Sequence, residues 1–157
     1  MIKRNQKLAF MNTEEENYVR MTGFTDLAVS KNPKEYSRRY IDEDTERNSV
    51  ISYSPSISYK LDLDNGNSVH EIFAEIADKE LVGDDAVKKI LIADISSPGA
   101  GGACPAVCRS FAIIPGKEGD DADMYTMSGE MKASGEKIFG TVISTDNWQT
   151  AVFTPDE

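Results

Sequence analysis

The sequence predicts a mainly β protein of the α+β class: an antiparallel two-sheet β-sandwich or barrel with one flanking amphipathic helix. Three observations support this. Residues 51–63 alternate strictly between apolar and polar side chains, residues 69–80 carry apolar side chains at helical spacing, and several further segments rich in β-branched and aromatic residues lie between turn clusters. With 157 residues, the chain is expected to form a single domain over 1–157.

The alternating segment 51–63 is the most informative of the three. Its odd positions are apolar or aromatic and its even positions are small or polar. Successive side chains of a strand point to opposite faces, so the segment predicts one strand with an apolar face and a serine-rich face. At about 3.3 Å per residue this strand would span roughly 43 Å, against a usual strand of about 5–6 residues. Such a length indicates a sheet that extends beyond its own domain.

The N-terminal third is less regular. Residues 1–11 have a basic start followed by apolar residues, which indicates a short strand or an N-terminal arm. Residues 14–17, three glutamates followed by an asparagine, predict a turn. Residues 18–30 are rich in β-branched and aromatic residues and predict a strand bent at Gly23.

Residues 31–48 predict a long solvated loop or a projecting hairpin, because they are poor in apolar side chains and their charges are sorted. Basic residues come first, and the acidic run at 42–46 follows. A projecting segment with this pattern could dock its two ends on oppositely charged neighbours. The sorted charges are Lys31, Lys34, Arg38 and Arg39, then Asp42, Glu43, Asp44 and Glu46.

An amphipathic helix is predicted over residues 69–80. Ser68 and Glu71 match a capping box, with Ser68 as the N-cap and Glu71 three residues later. Apolar residues then recur at helical spacing, with acidic and basic residues opposite. His70, at the start of the helix, is expected to be exposed.

The C-terminal half predicts only strands and turns. Residues 86–95 and 109–114 are predicted strands, although periodicity alone does not exclude a helix over 86–95. The second strand is ended by Pro115 and Gly116, and a flexible loop at 97–103 lies between the two. Residues 124–133, 137–145 and 148–154 predict three strands joined by short turns, which is typical of an antiparallel meander.

The composition argues against nucleic-acid binding and against a structural zinc site. The chain has 27 acidic and 17 basic residues, a net charge of -10, and a surface of this kind repels nucleic acid unless a basic patch is segregated. Two cysteines and one histidine are too few for a structural zinc site. Cys104 and Cys108 are expected to be reduced thiols, although export would allow them to form a disulfide.

No segment matches a catalytic, cofactor-binding or metal-binding motif. The chain is therefore expected not to be an enzyme and to need no cofactor. It shows neither a signal peptide nor an apolar run long enough to cross a membrane, so folding in a cytoplasm without membrane contact is expected.

Several segments resemble the major tail (tail tube) proteins of long, non-contractile-tailed bacteriophages and prophages. The resemblance spans nearly the whole chain and carries no catalytic motif. It rests on Arg4-Asn-Gln-Lys-Leu-Ala-Phe-Met, Arg20-Met-Thr-Gly-Phe-Thr, Ser30-Lys-Asn-Pro-Lys-Glu-Tyr36, Tyr53-Ser-Pro-Ser-Ile-Ser-Tyr59 and Thr145-Asp-Asn-Trp-Gln-Thr-Ala-Val-Phe153.

The resemblance implies a structural virion protein of the phage tail, assembled in the cytoplasm of a bacterial host. Six copies would form a ring, rings would stack into a tube, and DNA would pass through it without specific binding. Tape measure, tail terminator and tail tip proteins would be the other partners. The alternatives are a related β-sandwich component, such as a tail terminator or a type six secretion tube protein, and a small ligand-binding β-sandwich.

Two sets of residues are candidates for assembly surfaces. The 31–48 segment and the N-terminal arm would become ordered on assembly, and which sheet face lines the lumen is left open. The candidate inter-subunit contacts are Lys34, Arg38, Arg39, Asp42, Glu43 and Asp44. The candidate lumen or assembly face consists of Ser52, Ser54, Ser56, Ser58 and Glu130.

Overall fold

The computed structural model describes residues 1–14 and 17–156. These residues form eleven strands and one α-helix, with short 3-10 turns at Arg4–Gln6, Gly83–Ala86 and Ala100–Gly102. The strands are β1 (Lys7–Glu14), β2 (Asn17–Arg20), β3 (Phe24–Ser30), β4 (Pro33–Arg38), β5 (Arg47–Tyr53), β6 (Ser56–Asp62), β7 (Val87–Asp94), β8 (Cys104–Glu118), β9 (Thr126–Ala133), β10 (Ile138–Ile143) and β11 (Thr150–Pro155). The helix is α1 (Ser68–Asp78).

Nine of the described strands form one antiparallel sheet in the order β10-β11-β2-β1-β7-β8-β9-β6-β3. An additional pairing of β10 with β8 closes six of them, from β10 round to β8, into a barrel. β9, β6 and β3 continue the sheet from β8, and β4 and β5 form a separate two-stranded sheet. The mainly β fold with one helix is confirmed.

Strand β8 is the longest strand, and its two halves have different neighbours. Its first half pairs with β10, from Cys104↔Val142 to Cys108↔Ile138, and its second half pairs with β9. The prediction that this strand ends at Pro115 is wrong. A register shift between Pro115 and Lys117 accommodates the proline, and pairing with β9 resumes beyond it.

The prediction of a single strand over 51–63 is also wrong. The strand is interrupted at Ser54–Pro55, because proline has no N–H to donate and suits the end of a strand rather than its interior. β5 lies before the break and pairs with β4, whereas β6 lies after it and pairs with β3 and β9. The predicted faces hold within β6, where Ile57, Tyr59 and Leu61 are buried.

Two apolar cores lie on opposite faces of the shared strands. On β1, Phe10 belongs to the core enclosed by the barrel, and Met11 belongs to the core beneath α1. On β7, Leu91 belongs to the core enclosed by the barrel, and Ile90 belongs to the core beneath α1. Because both faces of β1 and β7 are covered, these two strands form the layer between the two cores.

Helix α1 begins one residue earlier than predicted, and its cap is a different residue. The Asn67 side-chain oxygen accepts hydrogen bonds from the backbone N–H groups of Val69 (3.0 Å) and His70 (3.3 Å). The predicted Ser68 cap is therefore wrong, because Asn67 has the extended backbone of an N-cap and Ser68 is already helical. The helix also ends at Asp78, two residues before its predicted end; its amphipathic character is confirmed, with Val69, Phe73 and Ile76 buried.

Of the two alternatives for residues 1–11, the strand applies from Lys7, because β1 is paired with both β2 and β7 inside the sheet. Two other expectations need correction. The strand predicted over 18–30 is broken at residues 21–23, where Gly23 has a φ of 75°. The C-terminal strands do not form a meander, because β10 pairs with β11 and β8 rather than with β9. Residues 15 and 16 of the predicted turn lie outside the described residues.

Candidate assembly surfaces

The hairpin formed by β4 and β5 is exposed along its whole length. Every residue of both strands is exposed, although Tyr36, Val50, Ile51 and Tyr53 are large and apolar. An isolated two-stranded hairpin is marginally stable in water, and a group of exposed apolar side chains marks an interaction surface. The hairpin therefore exposes apolar side chains on a small sheet of its own.

Local contacts shape the tip of this hairpin. The Arg38 guanidinium lies 5.1 Å from the centre of the Tyr36 ring, and that of Arg47 lies 5.6 Å from the Tyr40 ring. Arg47 also donates to the Glu43 carboxylate from Nε, at 2.7 Å. These contacts fold the tip against its own strands while leaving the other acidic side chains in solvent.

All six candidate inter-subunit residues lie in this hairpin. Lys34 and Arg38 are in β4, and the others lie in the connection between β4 and β5. Glu43 is half-buried by its ion pair with Arg47, whereas the rest are exposed. The six are Lys34, Arg38, Arg39, Asp42, Glu43 and Asp44.

The five candidate face residues are brought together only in part. Ser56 and Ser58 lie on the half-exposed face of β6, and Glu130 of β9 is the direct cross-strand partner of Ser58. Ser52 lies in the separate hairpin, and Ser54 lies in the break that follows it. The break at Pro55 thus divides the predicted serine face.

The outer face of β3, β6 and β9 carries both signs of charge. The Ser58 hydroxyl donates to Asp26 at 3.1 Å, and Lys60 is the cross-strand partner of Asp26. Glu130 and Lys132 project from the same face of β9. The face is polar and mixed in charge, which suits a wet surface better than binding to a polyanion.

A basic cluster lies at the root of the hairpin and was missed from the sequence. It consists of Lys31, Arg109 and Lys137, which we call the basic cluster. The pKa of Lys137 is lowered, first by the positive charge of Lys31 and then by partial burial. The positive charge of Arg109 lowers it further. Arg109 is held in place by a hydrogen bond from its Nε to the Gly135 carbonyl, at 2.6 Å. The three residues come from remote segments, so no local pattern indicates their proximity.

Histidine 70 is buried, contrary to the prediction. Its Nδ1 accepts from the Asp64 N–H at 3.1 Å, and its Nε2 donates to the Thr22 carbonyl at 2.6 Å. The imidazole also stands edge-on to Phe24, with ring centroids 5.3 Å apart. Both ring nitrogens are used to join the start of α1 to the loops around it, so His70 has a structural role.

A cavity of about 380 Å³ lies between the end of α1 and the second half of β8. Tyr59 and Met127 line it, together with Leu81. Burial, and secondarily the charge of Glu118, raises the pKa of Tyr59 to about 12. This phenol stays protonated at neutral pH and cannot act as a general base there.

Metal-binding clusters are not found in the described part of the chain, where no three His, Cys, Asp or Glu side chains converge. α1 is too short to cross a membrane, and it is the one α-helix of residues 1–14 and 17–156.

Comparison with known proteins shows that the fold of this chain is similar to that of solved structures. No protein-family model and no curated protein sequence matches the chain. A chain of the anti-feeding prophage baseplate, solved by cryo-EM with six-fold symmetrisation, is similar with a TM-score of 0.50 and 11% identity, over 85% of this chain and 91% of that one. A chain of the sheath-tube complex of PVC, an extracellular contractile injection system in its extended state, is similar with a TM-score of 0.51 and 16% identity, over 88% and 90%. The chain therefore shares its fold with components of phage-like contractile injection systems.

Proposed function

We propose that this protein is a structural subunit that assembles into six-membered rings, and that the rings stack into the tube of a phage tail or tail-like particle. The observation that carries the proposal is the exposed β4–β5 hairpin, whose apolar side chains would be covered by a neighbouring copy. The fold likeness to chains of a baseplate and a sheath-tube complex supports the same class of role.

The polar outer face of β3, β6 and β9 is our candidate for the lumen wall. It holds Ser56, Ser58 and Glu130, and its charges include both signs. A wall of this composition would leave the condensed counterions of DNA largely in place, so DNA could slide past it. The partners of the tube would be other tail proteins, and its assembly would take place in the host cytoplasm.

Electron microscopy and sedimentation of the concentrated protein test the proposal. We expect rings with a central pore and, at higher concentration, stacked tubes. A double variant, Ile51→Asp/Tyr53→Ser, should remain folded and monomeric, whereas the control Met124→Ser, which changes another exposed apolar residue, should assemble normally. A wild-type protein that stays monomeric at all concentrations, even with a tail-tip nucleus, would contradict the proposal.

A subunit at the end of a tube is the second candidate, such as a terminator or baseplate component. The likeness to a chain of the anti-feeding prophage baseplate favours it. The same micrographs distinguish the two, because an end component would form single rings that do not stack. A small ligand-binding β-sandwich would instead stay monomeric and release saturable heat with its ligand.

A further inference from the structure

We propose that the acidic tip of the β4–β5 hairpin of one copy docks on the basic cluster of a second copy of this chain. The acidic tip is defined by Asp42, Asp44 and Glu46, and the basic cluster by Lys31, Arg109 and Lys137. This inference rests on the proposed self-assembly and names the contact through which neighbouring copies recognise each other.

Both groups carry unneutralised charge in the isolated chain. The ion pairs among the described residues are Arg47–Glu43 and Lys79–Glu75, and neither includes a residue of the acidic tip or of the basic cluster. The three tip carboxylates are exposed; Lys31 and Lys137 are exposed as well, and Arg109 is half-buried. The stretch 42–46 holds four acids and no base, although Arg38, Arg39 and Arg47 flank it, and Arg47 neutralises Glu43 alone. The acidic tip and the basic cluster are therefore opposite in sign.

Mutual repulsion makes the basic cluster a site that favours an anion. The positive charges of Lys31 and Arg109, together with partial burial, lower the pKa of Lys137. An anion bound among these side chains would relieve the repulsion. In a chain of net charge -10, such a concentration of positive charge needs a structural reason.

The hairpin itself prevents the contact within one chain. Its strands are paired from Pro33↔Tyr53 at the root to Arg38↔Arg47 near the tip. At about 3.3 Å per residue, the tip lies more than roughly 17 Å from the root, where the basic cluster begins at Lys31. An ion pair needs about 4 Å between nitrogen and oxygen. The acidic tip can therefore reach only the basic cluster of another copy.

Charge reversal in two separate proteins tests this geometry. The cluster variant is Lys31→Glu/Lys137→Glu; Arg109 is left unchanged because it donates a hydrogen bond to the Gly135 carbonyl. The tip variant is Asp42→Lys/Asp44→Lys. Each variant alone should raise the protein concentration needed for assembly more than about tenfold, because like charges would then face each other. An equimolar mixture should assemble again, because each tip would then meet a cluster of opposite charge.

Controls and contrary outcomes are specific. The variant Lys3→Glu/Lys79→Glu makes the same change of net charge and should assemble like the wild type. All variants should give wild-type circular dichroism spectra, because the substituted residues are exposed. If the wild type assembles and the cluster variant does so equally well, the proposal is overturned. Failure of the mixture to recover would also overturn it.

Zero-length cross-linking separates this proposal from the proposed function. Carbodiimide treatment of mixed ¹⁴N and ¹⁵N protein should join a tip carboxylate to Lys31 or Lys137 across the two isotopic labels. Cross-links without rings would refute the tube and support the contact. Rings without such cross-links would refute the contact and support the tube, including the case in which the basic cluster binds DNA phosphate instead.

Discussion

The His70 imidazole donates from Nε2 to the Thr22 carbonyl at 2.6 Å, while its Nδ1 accepts from the Asp64 N–H. The side chain is fully buried. The donor at Asp64 requires Nδ1 to be unprotonated, so the geometry assigns the neutral Nε2–H tautomer. One side chain thus joins the loop before β3, the turn after β6 and the start of α1.

Replacing His70 with Ala should strongly destabilise the protein. The change would remove both hydrogen bonds of the buried imidazole and leave a cavity where its ring packs against Phe24, at a combined cost of about 3 kcal/mol. For a chain of this size the midpoint of thermal unfolding should fall by about 10 °C, measured by circular dichroism. Glu71→Ala, one residue along on the exposed side of α1, is the control and should change the midpoint little.

Gly23 and His70 should be energetically coupled. Gly23 has a φ of 75°, and a Cβ built there would lie 2.7 Å from Cε1 of the His70 ring. Gly23→Ala should therefore destabilise the wild type through both backbone strain and this clash. In the His70→Ala background only the strain remains, so a double-mutant cycle by urea unfolding should show a coupling of about 1 kcal/mol or more. Additive effects would show that the two residues are not in contact.

The same substitution in β5 and in β6 should have opposite consequences. Ile51 is 56% exposed in the hairpin, whereas Ile57 is 3% exposed in the main sheet. Ile57→Asp should unfold the monomer, because it would bury an unpaired charge. Ile51→Asp should leave the monomer folded and reduce assembly. Circular dichroism and sedimentation distinguish the two results, and a folded Ile57→Asp protein would mean that the faces of β6 are reversed.

Asp146 should give a pH-dependent contribution from the turn between β10 and β11. It accepts hydrogen bonds from the Thr150 side chain, the Thr150 N–H and the Ser144 hydroxyl, which together lower its pKa from 3.8 to about 2. A lowered pKa stabilises the folded state at pH values above the ordinary pKa, and this stabilisation is lost as the pH falls through about 2.

Asp146→Asn should therefore lower the urea midpoint by a constant amount near neutral pH and by less below about pH 4. Carboxyl NMR should show Asp146 still ionised at about pH 3. An equal difference between wild type and variant at neutral and acidic pH would contradict this role.

Cys104 and Cys108 should stay reduced in the folded protein. They lie four residues apart on the same buried face of β8, so their Cα atoms are about 13 Å apart, beyond the roughly 7 Å that a disulfide allows. Burial, and then the charge of Asp94, raises the pKa of Cys104 and further lowers its reactivity. Both thiols should resist alkylation in the native protein and react in denaturant. An intramolecular disulfide in native, oxidant-treated protein would contradict the register of β8.

The sequence by itself determined the elements whose signals are local. Alternation identified the buried face of β6, helical spacing identified α1, and turn clusters separated the strands of the C-terminal half. These patterns are visible because neighbouring side chains in one segment must face the same core.

Only the tertiary structure decided where each strand ends and which side chains meet. The strands on either side of Pro55 join different sheets, and β8 continues past Pro115 because β9 pairs with it there. His70 is buried because Thr22 and Asp64 supply partners from other loops, and Lys31, Arg109 and Lys137 come together from three segments that are remote in sequence. Strand partners and buried polar contacts depend on pairing between segments that are distant in sequence, so the pattern within one segment does not identify them.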